Sequence, residues 1–436
     1  MPTFTKIWSV SRTVISGMTP AMCFRALWLI LAMVLVVPPS ARADAQVAGA
    51  SYASSSTGAM AFVNQRSESR GESSLRVVSA AGVISAPQPV VEGWVDPNVA
   101  IGARGDVIVA WMDRTGLYAR FQPVGGSLGP VELVAATPQF LDGIVPLAVD
   151  GAGNAFVAYT LASGAGGMHV RMRAASGAWG PEQALGGERV VDSTLIASAN
   201  GTALLAWRQH GGKALNGTQI ALSTRAPDAA FTPATVIAGT PRHADEPQVA
   251  LNDRGDAVVT WIEDHRSKRR GARREETVSS IHGRFRQAGG GFGKSVQLSH
   301  ISAAGQTVAV APDGRMVLAW ADWTNRRVEA RVRSSTGVLG RPFLLTRDLG
   351  VNAQITALAA GRGAVGWIDR DPGLVLVRVA HATKDRRFGP PQLVARVDGY
   401  DLDPVWTATP TSLAVVPSPP TRAEQPIRWQ RVPLAP

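Results

Sequence analysis

Carboxylates recur at two places along this chain. Four acids stand two residues after an aromatic that ends an apolar run: Asp113, Glu263, Asp322 and Asp369. A second set precedes a short apolar run: Asp96 in Asp-Pro-Asn-Val, Asp245-Glu246 in Asp-Glu-Pro-Gln-Val and Asp403 in Asp-Pro-Val. Carboxylates gathered at one spot bind a cation or accept hydrogen bonds from sugar hydroxyls. Their default use in loops is to bond their own backbone in a turn. A basic run, His265-Arg266-Ser267-Lys268-Arg269-Arg270, is followed by Arg273-Arg274-Glu275-Glu276. It suits phosphate, lipopolysaccharide or an acidic partner, or is a solvated, protease-sensitive loop. Trp94, Trp323 and Trp406 lie near these places and can stack on sugar rings or pack in a core.

The elements that position these residues come from a repeat. A Gly turn and an apolar strand ending in an aromatic recur at Gly105–Trp111, Gly153–Tyr159, Gly201–Trp207, Gly255–Trp261, Gly314–Trp320 and Gly361–Trp367. The aromatics are spaced 48, 48, 54, 59 and 47 residues apart. A period near 50 built of short strands predicts a β-propeller. Each unit reads as four strands. Strand A is a short run such as Gln248–Leu251, and strand B is the near-continuous apolar run, buried on both faces. Strand C alternates basic and apolar residues, as in Arg171-Met-Arg173 and Arg331-Val-Arg333, which implies one wet face. Strand D often opens with Gly-Pro, as at Gly129-Pro130, suited to an outer edge.

Two degenerate units flank the series, around Met60–Val63 and Ser412–Val416. The expectation is an all-β fold: a single β-propeller of eight four-stranded blades, over residues 44–436. Seven blades plus a C-terminal hairpin is the alternative. The last unit lacks a clear strand D, and Asp44–Ala48 is expected to supply it. In this topology B–C and D–A connections share one end of the ring. Blade symmetry would gather the acids there, under a long B–C loop from Glu263 to Val278.

Residues 1–43 read as a signal peptide. Arg25 precedes an apolar core, Ala26–Val37, and Ala41-Arg42-Ala43 is an A-x-A site, predicting cleavage after Ala43 and export to periplasm or exterior. The core is shorter than the roughly 20 residues of a membrane span, so no span is expected in the mature form. The single cysteine, Cys23, lies in this leader. The formal charge of +11 includes Lys6, Arg12, Arg25 and Arg42, leaving +7 after cleavage. That modest excess is weak support for a nucleic-acid partner, and export argues against one.

Three motifs dissolve in the repeat. Ala288–Ser295 imitates a phosphate-binding loop and Gly125-Gly-Ser127-Leu-Gly129 imitates a nucleophile elbow, yet both fall in C–D hairpins where no helix follows. The seven histidines show no ligand spacing, and no metal or cofactor is expected.

The strand pattern resembles that of sialidase-like and other secreted bacterial propellers along the whole mature chain, and Pro312-Asp313-Gly314 resembles the repeats of TolB-type propellers. The S-x-D-x-G-x-x-W box of sialidase repeats is absent, so no nucleophile or arginine triad carries over and no catalytic residue is assigned. Fold alone does not give function. The reading is a secreted, non-catalytic binding scaffold for a glycan, protein or cell-envelope polymer. The alternative is a glycoside hydrolase or lyase using two rim carboxylates, about 5 Å apart for retention or about 6.5–9.5 Å for inversion. The binding candidates are Asp96, Asp113, Asp245, Glu263, Asp322, Asp369, Arg266, Lys268, Arg269 and Arg270.

Overall fold

The computed structural model describes residues 43–432 apart from stretches between strands, the longest being 137–144, 268–275, 348–354 and 417–426. Residues 1–42, and so nearly all of the expected signal peptide 1–43, lie outside the described residues. Eight antiparallel sheets follow one another along the chain. They are blades 1 to 8, over residues 43–91, 98–135, 147–186, 190–239, 244–297, 303–346, 355–398 and 405–432. The A strands meet their neighbours all the way round, blade 8 against blade 1 included. The chain is an eight-bladed β-propeller, and residues 405–432 form a blade rather than a loose hairpin.

The repeat sequence explains each blade. The A–B turn needs a left-handed residue, and glycine supplies it at Gly105, Gly153, Gly201, Gly255 and Gly314, with φ between 87° and 99°. In blade 7 that role falls to Gly363, φ 108°. The residue after the glycine ties this turn to the C–D turn of its own blade. Val124 N donates to Asp106 Oδ1, Ala175 N to Asn154 Oδ1 and Ala288 N to Asp256 Oδ1, each at 3.0 Å. Strand B is then buried on both faces, and Trp111, Tyr159, Trp207, Trp261, Trp320 and Trp367 are all in the core. The glycine-rich 288–295 is a C–D turn leading into a strand, as its place in the repeat requires.

Strand C departs from the expected wet face. Its arginines are half-buried in the seams between blades. Arg120, Arg171 and Arg331 each donate through Nε to the C–D turn carbonyl of their own blade, Gly129, Gly180 and Gly340. Each also donates through Nη1 to a carbonyl near strand D of the preceding blade: Pro89 and Val90, Val134, and Leu298. At the last position of strand C an arginine lies over an aromatic of the preceding blade, Arg173 over Phe121, Arg225 over Phe156 and Arg333 over Phe285, at 4.5, 5.0 and 4.8 Å. A guanidinium satisfies peptide carbonyls and covers a ring face at once. These arginines therefore hold blades together.

Closure is non-covalent. Met60, Phe62 and Val78 of blade 1 pack on Val405, Val416 and Ile427 of blade 8, and Thr407 Oγ1 donates to Ser55 O at 3.5 Å. Residues 43–47 do not complete blade 8. They pair with strand A of blade 1 (Ala50–Ser54), adding a fifth, innermost strand to that blade. The reason is chain length. A two-residue link joins the paired strands, whereas the outer edge of blade 8 lies about three strand spacings, roughly 14 Å, away across the blade.

The seam predicts a stability effect. Arg173 chelates Glu132 of blade 2 through Nε and Nη2, both at 2.8 Å. Arg173→Ala should cost about 2 kcal/mol in urea unfolding, because it leaves a partly buried carboxylate without its cation. A loss under about 0.5 kcal/mol would show that the seam does not depend on this pair.

Candidate functional site

The end of the ring that carries B–C and D–A connections holds a polar cluster between blades 4 and 5. At its centre is Arg208, in strand B of blade 4 (Ala203–His210). Its Nε lies 3.1 Å from Asp192 Oδ2 on strand A (Val190–Ala197), and its Nη1 2.8 Å from Asp245 Oδ1 on strand A of blade 5 (Ala244–Leu251). Thr218 Oγ1 also donates to Asp245 Oδ1, at 3.0 Å. Asp264 continues the cluster from strand B of blade 5 (Ala257–Ser267), accepting from Ser279 Oγ at 2.7 Å.

Glu246 is the unusual member. Strand A of blade 5 bulges between Asp245 and Gln248 against strand B. Strand A of blade 6 (Ala303–Val310) bulges at the same register, between Ala304 and Thr307. Matching the two bulges sets Glu246 opposite Gly305. Both are left-handed, with φ 51° and 59°. Blade 6 uses the residue that adopts this conformation freely, and blade 5 holds a glutamate there at a cost of about 1 kcal/mol. Gln306 Nε2 of blade 6 donates to the Glu246 carbonyl at 2.6 Å. Among the described residues nothing hydrogen-bonds its carboxyl. Burial first, then the charges of Asp192 and Asp245, push that carboxyl up to about 7; Arg208 opposes them and Asp264 adds to them. Burial works to lower the Arg208 guanidinium, and Asp192, Asp245 and Glu246 more than reverse it. Near neutrality the cluster thus holds a glutamate carboxyl that can donate or accept, beside a guanidinium and the aspartates it pairs with.

The acids singled out from sequence take different positions. Asp245 is in the cluster. Asp113 folds back on its own turn, where Oδ1 accepts from Thr115 N, Thr115 Oγ1 and Gly116 N at 2.6, 2.6 and 3.1 Å. Burial resists its ionisation, but these bonds hold its carboxyl below the usual range. Asp322 accepts from Asn325 N and Nδ2 at 3.0 and 2.7 Å, also within its turn. Asp96 is exposed in the blade 1–2 connection, and its carbonyl accepts from Asn98 Nδ2 at 3.4 Å. Glu263 accepts from Trp261 Nε1 at 3.3 Å and lies 3.6 Å from His282 Nε2. Ser280 Oγ reaches that same nitrogen at 3.1 Å and is fully buried, so the trio is not a nucleophile–base–orienter relay. Asp369 lies in strand B of blade 7, opposite Leu376, and its side chain is outside the described residues.

Both described ends of the expected B–C loop are sheet. Strands B and C of blade 5 stay paired out to Arg266↔Thr277 and Ser267↔Glu276, an arm rising beside the cluster. Lys268, Arg269 and Arg270 lie outside the described residues, as do Trp94 and Trp323. Trp406 is buried between blades 7 and 8. Sequence reasoning missed Arg208, although a signal existed. It is the one charged residue directly after a strand B aromatic, where the other five copies have Met112, Thr160, Ile262, Ala321 and Ile368.

A second concavity opens at the opposite end, on the ring axis. Its volume is about 200 Å³, and every blade contributes to its wall. Ile101, Val149, Leu251 and Val310 make it apolar, and Ser55, Ser198, Asn252 and Asp253 rim it. Asp253 is engaged with blade 4, accepting from Ala199 N and Asn200 Nδ2, both at 2.6 Å. Among the described residues no group of three or more His, Cys, Asp or Glu is placed to hold a metal ion.

No family model matches the chain, and no curated protein matches it. Solved structures do. A lectin of Burkholderia pseudomallei is 12% identical, with 77% of this chain and 95% of that one covered and a TM-score of 0.50. An ulvan lyase, a polysaccharide lyase, is 8% identical over 71% and 86%, with a TM-score of 0.44. A Hadza microbial sialidase is 10% identical over 72% and 74%, with a TM-score of 0.37. At these identities the likeness is one of fold.

The cluster predicts a pH effect. A carboxyl raised from 4.5 to about 7 in the fold favours the protonated native state. Its contribution is whole below about pH 4.5 and is lost as pH rises through about 7. Wild type should lose on the order of 2 kcal/mol relative to Glu246→Gln between about pH 5 and 8. Glu246→Gly, which also relieves the backbone, should melt higher than wild type at pH 8. Parallel melting curves across that range would contradict the account.

Proposed function

We propose that this protein is an exported glycan-binding propeller whose site is the Arg208 cluster between blades 4 and 5. One observation carries the reading. A glutamate occupies a left-handed bulge position where the next blade has glycine, and its carboxyl is left without a hydrogen-bond partner among the described residues. Strain and unspent polarity kept at one position are the marks of a functional site. Sugar hydroxyls donate and accept at once, which suits a cation, ionised carboxylates and a carboxyl that titrates near neutrality. The blade 5 arm beside the cluster supplies a wall against which an oligosaccharide lies. The lectin named above carries the same fold, which fits this reading and does not replace the site argument.

A second reading rests on the same carboxyl. A glutamate whose carboxyl is raised to about 7, beside the carboxylates of Asp245 and Asp192, matches the demand for a general acid next to a second carboxyl group. Binding and catalysis separate by experiment. A glycan array probed with wild type should give a hit that Glu246→Gln weakens at least tenfold, with unchanged melting temperature at pH 5. Incubation with that glycan should leave its length unchanged by chromatography; shortened products would favour the hydrolase or lyase. No glycan hit, or a hit indifferent to Glu246→Gln and Asp245→Asn, would sink the site.

A further inference from the structure

The other end of the ring, where A–B and C–D turns gather, is amphipathic on a scale larger than one blade. In blades 5 to 7 its C–D turns carry exposed cations: Lys294, Arg341, Lys384, Arg386 and Arg387. Asp385 is the one acid among residues 287–294, 334–341 and 383–389. These turns adjoin one another. Gln287 Nε2 donates to Ser335 O at 3.3 Å, and a Cβ built on Gly340 would stand 3.5 Å from that of Arg386. The cations therefore form one continuous arc.

Across the ring, the same end is neutral and aliphatic. Residues 79–87 and 123–131, the C–D turns of blades 1 and 2, contain no charged residue. They expose Val83 (69%), Ile84 (37%) and Val124 (49%) at or beside the turn tips. These two turns also adjoin, through Gln88 Oε1 accepting from Leu128 N at 2.7 Å and Gln88 Nε2 donating to Gln122 Oε1 at 3.1 Å. Val338, 52% exposed, brings an aliphatic tip into the basic arc itself.

We propose that this end of the propeller docks flat on an anionic lipid bilayer, with the blade 5–7 cations on the headgroups and the aliphatic tips in the interface. Shape chooses between partners. A linear polyanion can follow the basic arc and never meet Val83, Ile84 or Val124. A plane laid on the C–D turns touches both arcs. Cations near an anionic surface attract it through the Debye layer, and apolar tips add burial at the acyl boundary. This mode needs no spanning segment, and among the described residues no helix is long and apolar enough to cross a membrane. It leaves the Arg208 cluster, at the far end, facing away from the lipid.

The test is co-sedimentation of residues 43–436, which hold every strand of the closed ring, with vesicles at about 0.1 M salt, where screening falls off near 10 Å. Binding is expected to phosphatidylcholine vesicles containing phosphatidylglycerol, and to be absent with phosphatidylcholine alone. The charge reversal Lys384→Glu/Arg386→Glu/Arg387→Glu should weaken it at least tenfold. The double variant Val83→Ser/Val124→Ser, which leaves every charge in place, should weaken it several-fold while leaving retention on dextran sulfate unchanged. Melting curves check that both variants fold. No sedimentation with the anionic vesicles would overturn the proposal. Binding that follows charge alone, indifferent to the valine changes, would also overturn it and make the arc a polyanion site.

Discussion

The seam between blades is the constraint on which this molecule rests. A single blade cannot bury its apolar A and B strands on both faces; only two neighbours can, so the ring must close. Apolar clusters fill the seams all the way round; one runs through blades 1 to 3, and another joins blade 8 to blade 1. The strand C arginines set how neighbouring blades meet. Arg120, Arg171 and Arg331 bridge the C–D turn of one blade to carbonyls of the blade before. Val90 and Val134 are the extra residues where strand D bulges against strand C, and the guanidinium satisfies carbonyls the interrupted ladder would otherwise leave to water. A chain that looks basic enough for a polyanion thus spends many of its cations internally. Among the cations outside the seams, Lys294, Arg341, Lys384, Arg386 and Arg387 lie exposed on the C–D turns of blades 5 to 7.

Rigid seams make local departures meaningful. Where two blades share one register, a residue that breaks the shared chemistry stands out against its neighbour. The matched bulges of blades 5 and 6 give that comparison, with Glu246 set against Gly305. The bulge turns the glutamate toward the carboxylates of blades 4 and 5 while Arg208 holds Asp192 and Asp245 in place. The outcome is a partly buried carboxyl whose titration is pushed up to about 7. The two ends of the ring differ in kind: a polar cluster at the B–C and D–A end, and a surface of C–D turns at the other.

Much of the fold was legible because strand B, its glycine turn and its aromatic repeat in nearly fixed form. Eight units follow from the spacing and from the degenerate copies at Met60 and Leu413. The features that were hidden are those where geometry, not residue type, decides. Arginines alternating with apolar residues look like a solvated face, and only the seam shows them bonded to the next blade. The run from Glu263 to Val278 looks like a charged loop, yet the two strands continue their ladder into it. Of the candidate acids, Asp113 and Asp322 bond within their turns as such residues commonly do. Asp245 joins the cluster because a bulge, invisible in the linear pattern, brings it to Arg208. Glu246 reads as one more acid before a strand until its left-handed backbone is compared with a glycine.

The central claim is that Glu246 is held in a carboxylate cluster built for a ligand. The most direct measurement is a carbon-13 NMR titration of its carboxyl, in wild type and in Asp192→Asn, with and without the glycan that binds. The account predicts a midpoint near pH 7 in the free protein, lower in Asp192→Asn because a repelling charge is gone, and displaced on binding. A carboxyl that titrates near 4.5, the ordinary glutamate value, and ignores both the variant and the glycan would contradict it.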